Sequence, residues 1–301
     1  MKDKKLLKTQ AMLGLTNKVG KYYVYASTLI TAFIVFSILL ILLINSWEAI
    51  SKIGMDLLSL SWNPAKGEFG IISMLYGTIV VTLIALILAI PLGIYTAIFT
   101  SEILASKYRF IVKSILELLA GIPSIIFGLI GVAFLSIWVQ DLFDLQSGRT
   151  LFTAGILLSI MILPTIITLT DDALHNIPEK YRENAKGLGL YNFEIIKEVL
   201  IPIAKSDVKS AISLAFGRAL GETMAVMLVI GGIDKLPTSL FNWLSPGQTI
   251  TSKLGREIAE TSFGSVHFSA MIFMGLLLFS IVLFLTFLAQ RSSTKTERLY
   301  E

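Results

Sequence analysis

Six long apolar runs divide this sequence of 301 residues. No charged residue occurs between Lys21 and Glu48, for example, or between Glu68 and Glu102. A helix of about 20 apolar residues crosses the hydrocarbon core of a bilayer, and each run is long enough to do so. The sequence therefore predicts an all-α membrane protein embedded in the lipid bilayer. The spans are expected at about 23–45, 74–99, 113–139, 150–170, 208–232 and 268–289.

The composition excludes several classes of chemistry. Hydrophobic residues make up 54% of the chain and charged residues only 15%, whereas a soluble domain carries about 25% charged residues. Cysteine is absent and His175 and His267 are the only histidines, which excludes disulfides, cysteine nucleophiles and thiolate metal sites. No GxxxxGK[ST] loop is present for binding ATP. We expect no catalytic residue, no metal site and no cofactor bound by this chain, and no nucleic-acid partner.

The positive charges indicate an orientation in the membrane. Six spans place both termini on one side, and that side carries 18 of the 25 lysines and arginines, against 6 on the other side. Cytoplasmic loops are enriched in these residues, so both termini are expected in the cytoplasm. This gives a cytoplasmic N-terminal segment (1–21), a transmembrane domain (22–290) and a cytoplasmic tail (291–301). Residues 6–15 fit either a helix on the membrane surface or a disordered basic tail.

Two ionisable residues interrupt the fifth apolar run. Arg218 and Glu222 are four residues apart, which would place both on one face of a continuous helix, one turn apart. An ionisable group at membrane depth is costly and normally faces a bundle interior or an aqueous path. A guanidinium suits oxyanions. The pair thus predicts either a polar route through the membrane or an internal ion pair that fixes helix packing.

Prolines occur in the second, third and fourth spans. Pro91, Pro123 and Pro164 each remove a backbone hydrogen bond. Proline is common in membrane helices, and for Pro91 and Pro164 we favour that explanation. Beside Pro123, the neighbouring Ser124 and Gly128 equally favour close helix contact or backbone access to a cavity. Ser124 is therefore a weaker candidate for the substrate pathway.

The longest cytoplasmic loop is predicted over 171–207. Asp171 or Asp172 could cap a short helix, a second helix fits 179–188 and breaks at Gly189, and a third fits 192–200. This pattern is compatible with a compact docking element or with a solvated connector.

The same loop resembles the EAA loop of ABC importer permeases. Glu183, Ala185 and Gly189 have the spacing of that motif, and residues 199–202 (Val-Leu-Ile-Pro) match the hydrophobic run that ends in proline. Asn184 stands where the motif has its middle alanine. The resemblance implies a type I ABC importer permease architecture. It also implies that Glu183, Asn184, Ala185 and Gly189 belong to a coupling helix that enters a groove on an ATPase subunit.

Further segments resemble the PstC family of phosphate importer permeases. The segments are GRALGETMAV (217–226), SWNPAKGEFGIISMLYGT (61–78), PLGIYTAIFTSE (91–102) and GIPSIIFG (121–128). The resemblance implies a multi-pass permease of a bacterial or archaeal cytoplasmic membrane that imports inorganic phosphate. It further implies a second permease subunit (PstA-like), an ATPase dimer (PstB-like) that uses the ATP, and an external phosphate-binding protein (PstS-like).

The chemistry of phosphate suggests roles for the two ionisable residues. Arg218 can donate parallel hydrogen bonds to two phosphate oxygens. Glu222, if ionised, can accept only from a substrate that carries a proton, which phosphate does near neutral pH and sulfate does not. Because the two side chains together are roughly neutral, a further cation is expected from the second membrane subunit.

Three alternatives remain at this point. A permease for another oxyanion would share the EAA loop but lack the GRALGET context. A secondary transporter would favour paired inverted halves, and a membrane enzyme would need a nucleophile or metal cluster in its loops. The external loop between the fifth and sixth spans carries Lys253, Arg256, Glu257 and Glu260. We predict a solvated amphipathic helix there, with Trp62 and His267 as membrane-interface residues.

Overall fold

The computed structural model describes residues 2–297, with side chains for residues 20–287, and this part of the chain is mainly α-helical. A short antiparallel hairpin pairs strands β1 (Trp62–Asn63) and β2 (Glu68–Phe69). The α-helices are α1 (Lys2–Lys52), α2 (Ile72–Ile98), α3 (Ser106–Ala120), α4 (Ser124–Ile130), α5 (Ser136–Phe143), α6 (Leu151–His175), α7 (Glu179–Gly187), α8 (Asn192–Glu194), α9 (Ile201–Gly221), α10 (Met224–Val229), α11 (Ile250–Glu257) and α12 (Val266–Glu297). π-helical turns follow α2 (Phe99–Ile103), join α4 to α5 (Gly131–Leu135) and join α8 to α9 (Ile195–Leu200).

Five helical segments of the described residues are long and apolar enough to cross a membrane. They are Gly20–Lys52, Ile72–Ile103, Ser124–Phe143, Leu151–His175 and Val266–Phe287. The fifth predicted span, 208–232, is not among them. The chain breaks there between α9, which ends at Gly221, and α10, which begins at Met224, and α9 itself carries four charged residues. The all-α membrane class is confirmed, while the count of six spans and the cytoplasmic termini stay predictions.

The third predicted span, 113–139, is also divided. Helix α3 ends at Ala120, and α4 starts at Ser124, directly after Pro123. Proline lacks the backbone N–H and disfavours a helical conformation in the residue before it, so the chain restarts its helix there. Helices α2 and α6, in contrast, continue through Pro91 and Pro164.

Helices α2, α6 and α9 form the central core. Their buried side chains make one continuous apolar cluster that includes Val81, Ile162 and Ala215. Two glycines allow the close approach of α2 and α6. A Cβ atom at Gly155 would lie 2.5 Å from Ile84 Cγ2, and one at Gly93 would lie 2.6 Å from Ile166 Cγ2. Small residues at helix contacts are typical of packing inside membranes, where backbones must approach closely.

The terminal helices α1 and α12 pack against each other at the side of this core. The segment 6–15 falls within α1, but its side chains lie outside the described residues, so its place on the membrane surface stays a prediction. The same holds for the cytoplasmic tail over 291–301, of which α12 includes the backbone to Glu297.

Candidate functional site

Arg218 lies near the end of α9 and is exposed in the isolated chain. Its Nη1 donates a hydrogen bond of 3.0 Å to Thr165 Oγ1 on α6. Thr165 directly follows Pro164, in the middle of a helix that is long enough to span the membrane. The bond therefore brings Arg218 next to the middle of a helix that is long and apolar enough to span the membrane.

Glu222 lies just beyond the end of α9, with an extended backbone (φ −68°, ψ 124°). Its Oε1 accepts a hydrogen bond of 3.2 Å from the backbone N–H of Ala225, in the first turn of α10. Among residues 20–287 no ion pair joins Glu222 to Arg218. The prediction of two residues one turn apart on a continuous helix is therefore wrong. The helix breaks between them, and the carboxylate satisfies a backbone donor that the break leaves free.

Side chains of helix α11 donate two hydrogen bonds to the backbone at and after this break. Thr251 Oγ1 donates to the backbone oxygen of Glu222 at 2.8 Å, and Arg256 Nη2 donates to the backbone oxygen of Met227 at 2.5 Å. Irregular backbone at membrane depth must find partners within the protein or in a water-filled cavity. The described contacts supply two of these partners, which allows a broken helix to persist next to Arg218.

A second broken helix approaches the first one. A Cβ atom at Gly128 of α4 would lie 2.9 Å from Ala225 Cα of α10, so these two backbones are in close contact. Ser124, the half-buried first residue of α4, lies one turn before Gly128. Glu222 lies three residues before Ala225. The breaks at Pro123 and Glu222 thus lie near one another, and a role of Ser124 in a substrate pathway stays a prediction.

The predicted coupling region forms a compact knob of helices. Helix α7 (Glu179–Gly187) corresponds to the helix predicted over 179–188, and Gly189 follows it with a positive φ of 86°. Glu183 and Asn184 are exposed on α7. Ala185 is only 4% exposed, because it packs into an apolar cluster between α6 and the start of α9.

Ion pairs at the ends of α2, α3 and α6 were not foreseen from the sequence. Asp171 and Asp172 do not cap a new helix, since α6 continues to His175. Asp171 pairs with Arg109 of α3 at 2.7 Å, and Asp172 pairs with Lys113 at 2.5 Å. The hydrogen bond with Asp171 raises the pKa of Arg109 above its ordinary value.

Arg182 of α7 pairs in the same region with Glu102, which follows α2, at 2.8 Å. The hydrogen bond with Glu102 is the main cause that raises the pKa of Arg182. Both arginines are therefore firmly cationic members of buried or half-buried pairs.

The loop between α10 and α12, which the sequence places outside the cell, also differs from its prediction. Lys253 is 1% exposed, with Nζ 2.5 Å from Asp234 Oδ2 and in hydrogen-bonding contact with Glu257. The expectation of a solvated helix is wrong for this side chain. Trp62 is buried as well, and its Nε1 donates to Glu257 at 3.2 Å, while His267 Nε2 lies 3.4 Å from the same carboxylate.

This arrangement has a physical reason. Trp62 and Phe69 of the hairpin and apolar side chains at the start of α12 cover one face of α11, and Lys253 is buried there. Within residues 20–287 no group of three His, Cys, Asp or Glu side chains is arranged to hold a metal ion.

Comparisons with known proteins agree with this architecture. Residues 89–298 match the family described as binding-protein-dependent transport system inner membrane component. A phosphate transport system permease protein PstC of Mesorhizobium japonicum is 34% identical, over 94% of this chain and 91% of that protein. The PstC of Pasteurella multocida is 37% identical, over 80% of each chain.

Solved structures support the fold alone. A subunit of a bacterial alginate ABC transporter, solved with a periplasmic protein that holds an alginate pentasaccharide, has a TM-score of 0.62 to this chain. The two sequences are 16% identical, and the similarity covers 91% of this chain and 94% of that one.

Proposed function

The chain belongs to the family of binding-protein-dependent transport system inner membrane components, and from this premise we propose that it is a permease subunit of an ATP-driven importer of inorganic phosphate. It forms half of the translocation pathway. The chain itself is not an enzyme, and a separate ATPase dimer (PstB-like) hydrolyses the ATP. Both termini face the cytoplasm.

The free donors of Arg218 are the observation that carries this proposal. A guanidinium has five N–H donors, and the bond to Thr165 uses one of them. Among residues 20–287 no other hydrogen bond from the Arg218 side chain is present. The remaining donors are available to two oxygens of one phosphate ion in a parallel pair of bonds.

Glu222 supplies the selectivity. Its carboxylate accepts from Ala225 N–H through one oxygen, and an ionised carboxylate has further acceptor capacity. A phosphate ion that carries a proton can donate to it, whereas a sulfate ion cannot. A substrate without that proton leaves the acceptor unmatched, which costs about 1–3 kcal/mol.

Other subunits complete the transporter. Arg218 and Glu222 are together close to neutral, so a PstA-like second permease contributes a further cation to a shared pore. The exposed residues Glu183 and Asn184 of α7 face the ATPase, with Ala185 and Gly189 shaping the helix and its end. A PstS-like binding protein delivers phosphate from outside, and closure of the ATPase dimer moves α7 to change the accessibility of the pore.

Transport by the complete complex in proteoliposomes tests the proposal. Arg218→Gln should lower ATP-driven phosphate uptake by about tenfold or more, because the phosphate ion then loses its main hydrogen-bond donor on the pathway. Arg149→Gln is the matched control, since Arg149 is an exposed arginine in the loop between α5 and α6. Normal uptake by an assembled Arg218→Gln complex would refute the pathway. Uptake that persists without ATP, driven by an ion gradient, would instead indicate a secondary transporter.

A further inference from the structure

Arg182 has more hydrogen-bond partners than its neighbours on α7. Its Nε and Nη2 donate to the two carboxylate oxygens of Glu102 at 3.1 and 2.8 Å. Nη2 also donates to the backbone oxygen of Leu174 at 2.9 Å, and Nη1 to that of Ile177 at 2.8 Å. One guanidinium thus connects three segments: α7 itself, the end of α6 with its following turn, and the π-helical turn after α2.

The pair with Glu102 is sheltered from solvent. The two side chains are 13% and 9% exposed, whereas the nearby pair of Lys197 and Glu198 is 65% and 62% exposed at a distance of 3.6 Å. Exposed pairs contribute little, but a forked pair in a sheltered site has a fixed geometry and is costly to separate. The contact between α7 and the end of α2 is therefore costly to separate.

Neighbouring polar contacts join further helix ends to this pair. Thr100 Oγ1 donates to Asp171 Oδ1 at 2.9 Å, and Arg109 also binds Asp171. Polar contacts thus join the ends of α2, α3 and α6 to α7. The link from α7 to the start of α9 is different, since it consists of apolar contacts around Ala185 and Ile195. Apolar contacts can slide, whereas a forked ion pair resists displacement.

We propose that Arg182 and Glu102 form the joint that transmits movement of α7 into α2. This inference rests on the proposed function, in which an ATPase moves α7. Both are positioning residues, because in the described structure Arg182 binds Glu102 and the backbone of Leu174 and Ile177, and neither residue contacts Arg218 or Glu222. Without the joint, α7 would still respond to ATP hydrolysis, but α2 would follow it only loosely. The number of phosphate ions imported per ATP hydrolysed would then fall.

The absence of cysteine in this chain allows a direct test. The variant Glu102→Cys with Arg182→Cys is assembled with cysteine-free partner subunits in proteoliposomes. Phosphate uptake and ATP hydrolysis are measured before and after treatment with a short bis-methanethiosulfonate crosslinker, and again after reduction. Glu102→Gln is a second variant, which removes the carboxylate but leaves the bonds of Arg182 to Leu174 and Ile177. Lys197→Gln is the matched control for loss of an exposed charge.

We expect the unlinked cysteine variant and Glu102→Gln to import about tenfold less phosphate per ATP, a typical size for coupling between sites. The crosslinker should restore the ratio in the cysteine variant, and reduction should abolish it again. An unchanged ratio in Glu102→Gln, or a reduced ratio that the crosslinker does not restore, would overturn the inference. A wild-type complex that does not import phosphate with ATP would instead refute the proposed function.

Discussion

Replacement of Lys253 by methionine removes the only cation that the described structure places between Asp234 and Glu257. The lysine side chain is 2% exposed, and both carboxylates contact its Nζ. Methionine fills a similar volume but carries no charge. Two half-buried carboxylates would then face each other without a cation between them.

The expected cost follows from the burial of the three side chains. Removal of one partner from a buried ion pair destabilises a protein by about 3–5 kcal/mol, because a charge is left without compensation. The carboxylates of Asp234 and Glu257 keep 25% and 26% exposure, so water screens part of the repulsion. We therefore expect the lower end, about 3 kcal/mol, which corresponds to a melting temperature lower by about 5–10 °C.

Thermal unfolding of the purified complex in detergent measures this cost. Lys235→Met is the control, since Lys235 is an exposed lysine in the same loop. That variant should stay within about 0.5 kcal/mol of wild type. In a variant that already carries Asp234→Asn and Glu257→Gln, Lys253→Met should lower the free energy of unfolding much less, because no carboxylate is then left without a counter-charge. Equal small effects of Lys253→Met and Lys235→Met would refute the reasoning.

Three further predictions concern the pathway and the core. Thr165→Val should lower phosphate uptake by about tenfold with little change in assembly. Thr165→Ser keeps the hydroxyl that Arg218 binds and should retain uptake. Equal uptake by the two variants would contradict a positioning role for Thr165. Glu222→Gln should reduce the preference for phosphate over sulfate in competition assays by about tenfold, and an unchanged preference would count against the selectivity role. Gly155→Ala should destabilise the chain by about 1–3 kcal/mol in thermal unfolding, because the added Cβ collides with Ile84, whereas Gly275→Ala, where the nearest atom lies 4.0 Å away, should not.

The core helices α2 and α6 could be predicted because their signal is local. A bilayer requires about 20 apolar residues in a row, and such runs are visible in the sequence without knowledge of any contact. The helix α7 and its end at Gly189 also have local causes, namely helix propensity and a glycine that adopts a positive φ. The structure agrees with the sequence where these local requirements decide the outcome.

The polar contacts of Arg182 and Trp62 could not be predicted because their partners are remote in sequence. Arg182 binds Glu102 across 80 residues, and Trp62 binds Glu257 across 195 residues. Lys253 and Glu257 have the spacing of an exposed pair on a helix surface. Only the tertiary packing of the hairpin against α11 and α12 buries them.

The break at Glu222 could not be predicted from the local sequence either. The residues 217–226 are compatible with a continuous helix, and Gly221 weakens that helix only modestly. Partners from elsewhere stabilise the break, in particular the bond from Thr251 to the backbone oxygen of Glu222. The local sequence therefore singled out Arg218 and Glu222 but did not predict their geometry.

Labelling of a single cysteine at Thr223 tests the central claim most directly. Thr223 lies in the break itself, so the substitution Thr223→Cys leaves Arg218 and Glu222 in place, in a chain that has no other cysteine. In a complex with cysteine-free partners, we predict that a water-soluble methanethiosulfonate reagent labels this position in at least one nucleotide state. Saturating phosphate should slow the labelling, while sulfate should not. A position that stays unlabelled in every nucleotide state, or labelling that phosphate does not slow, would contradict a substrate pathway past Arg218.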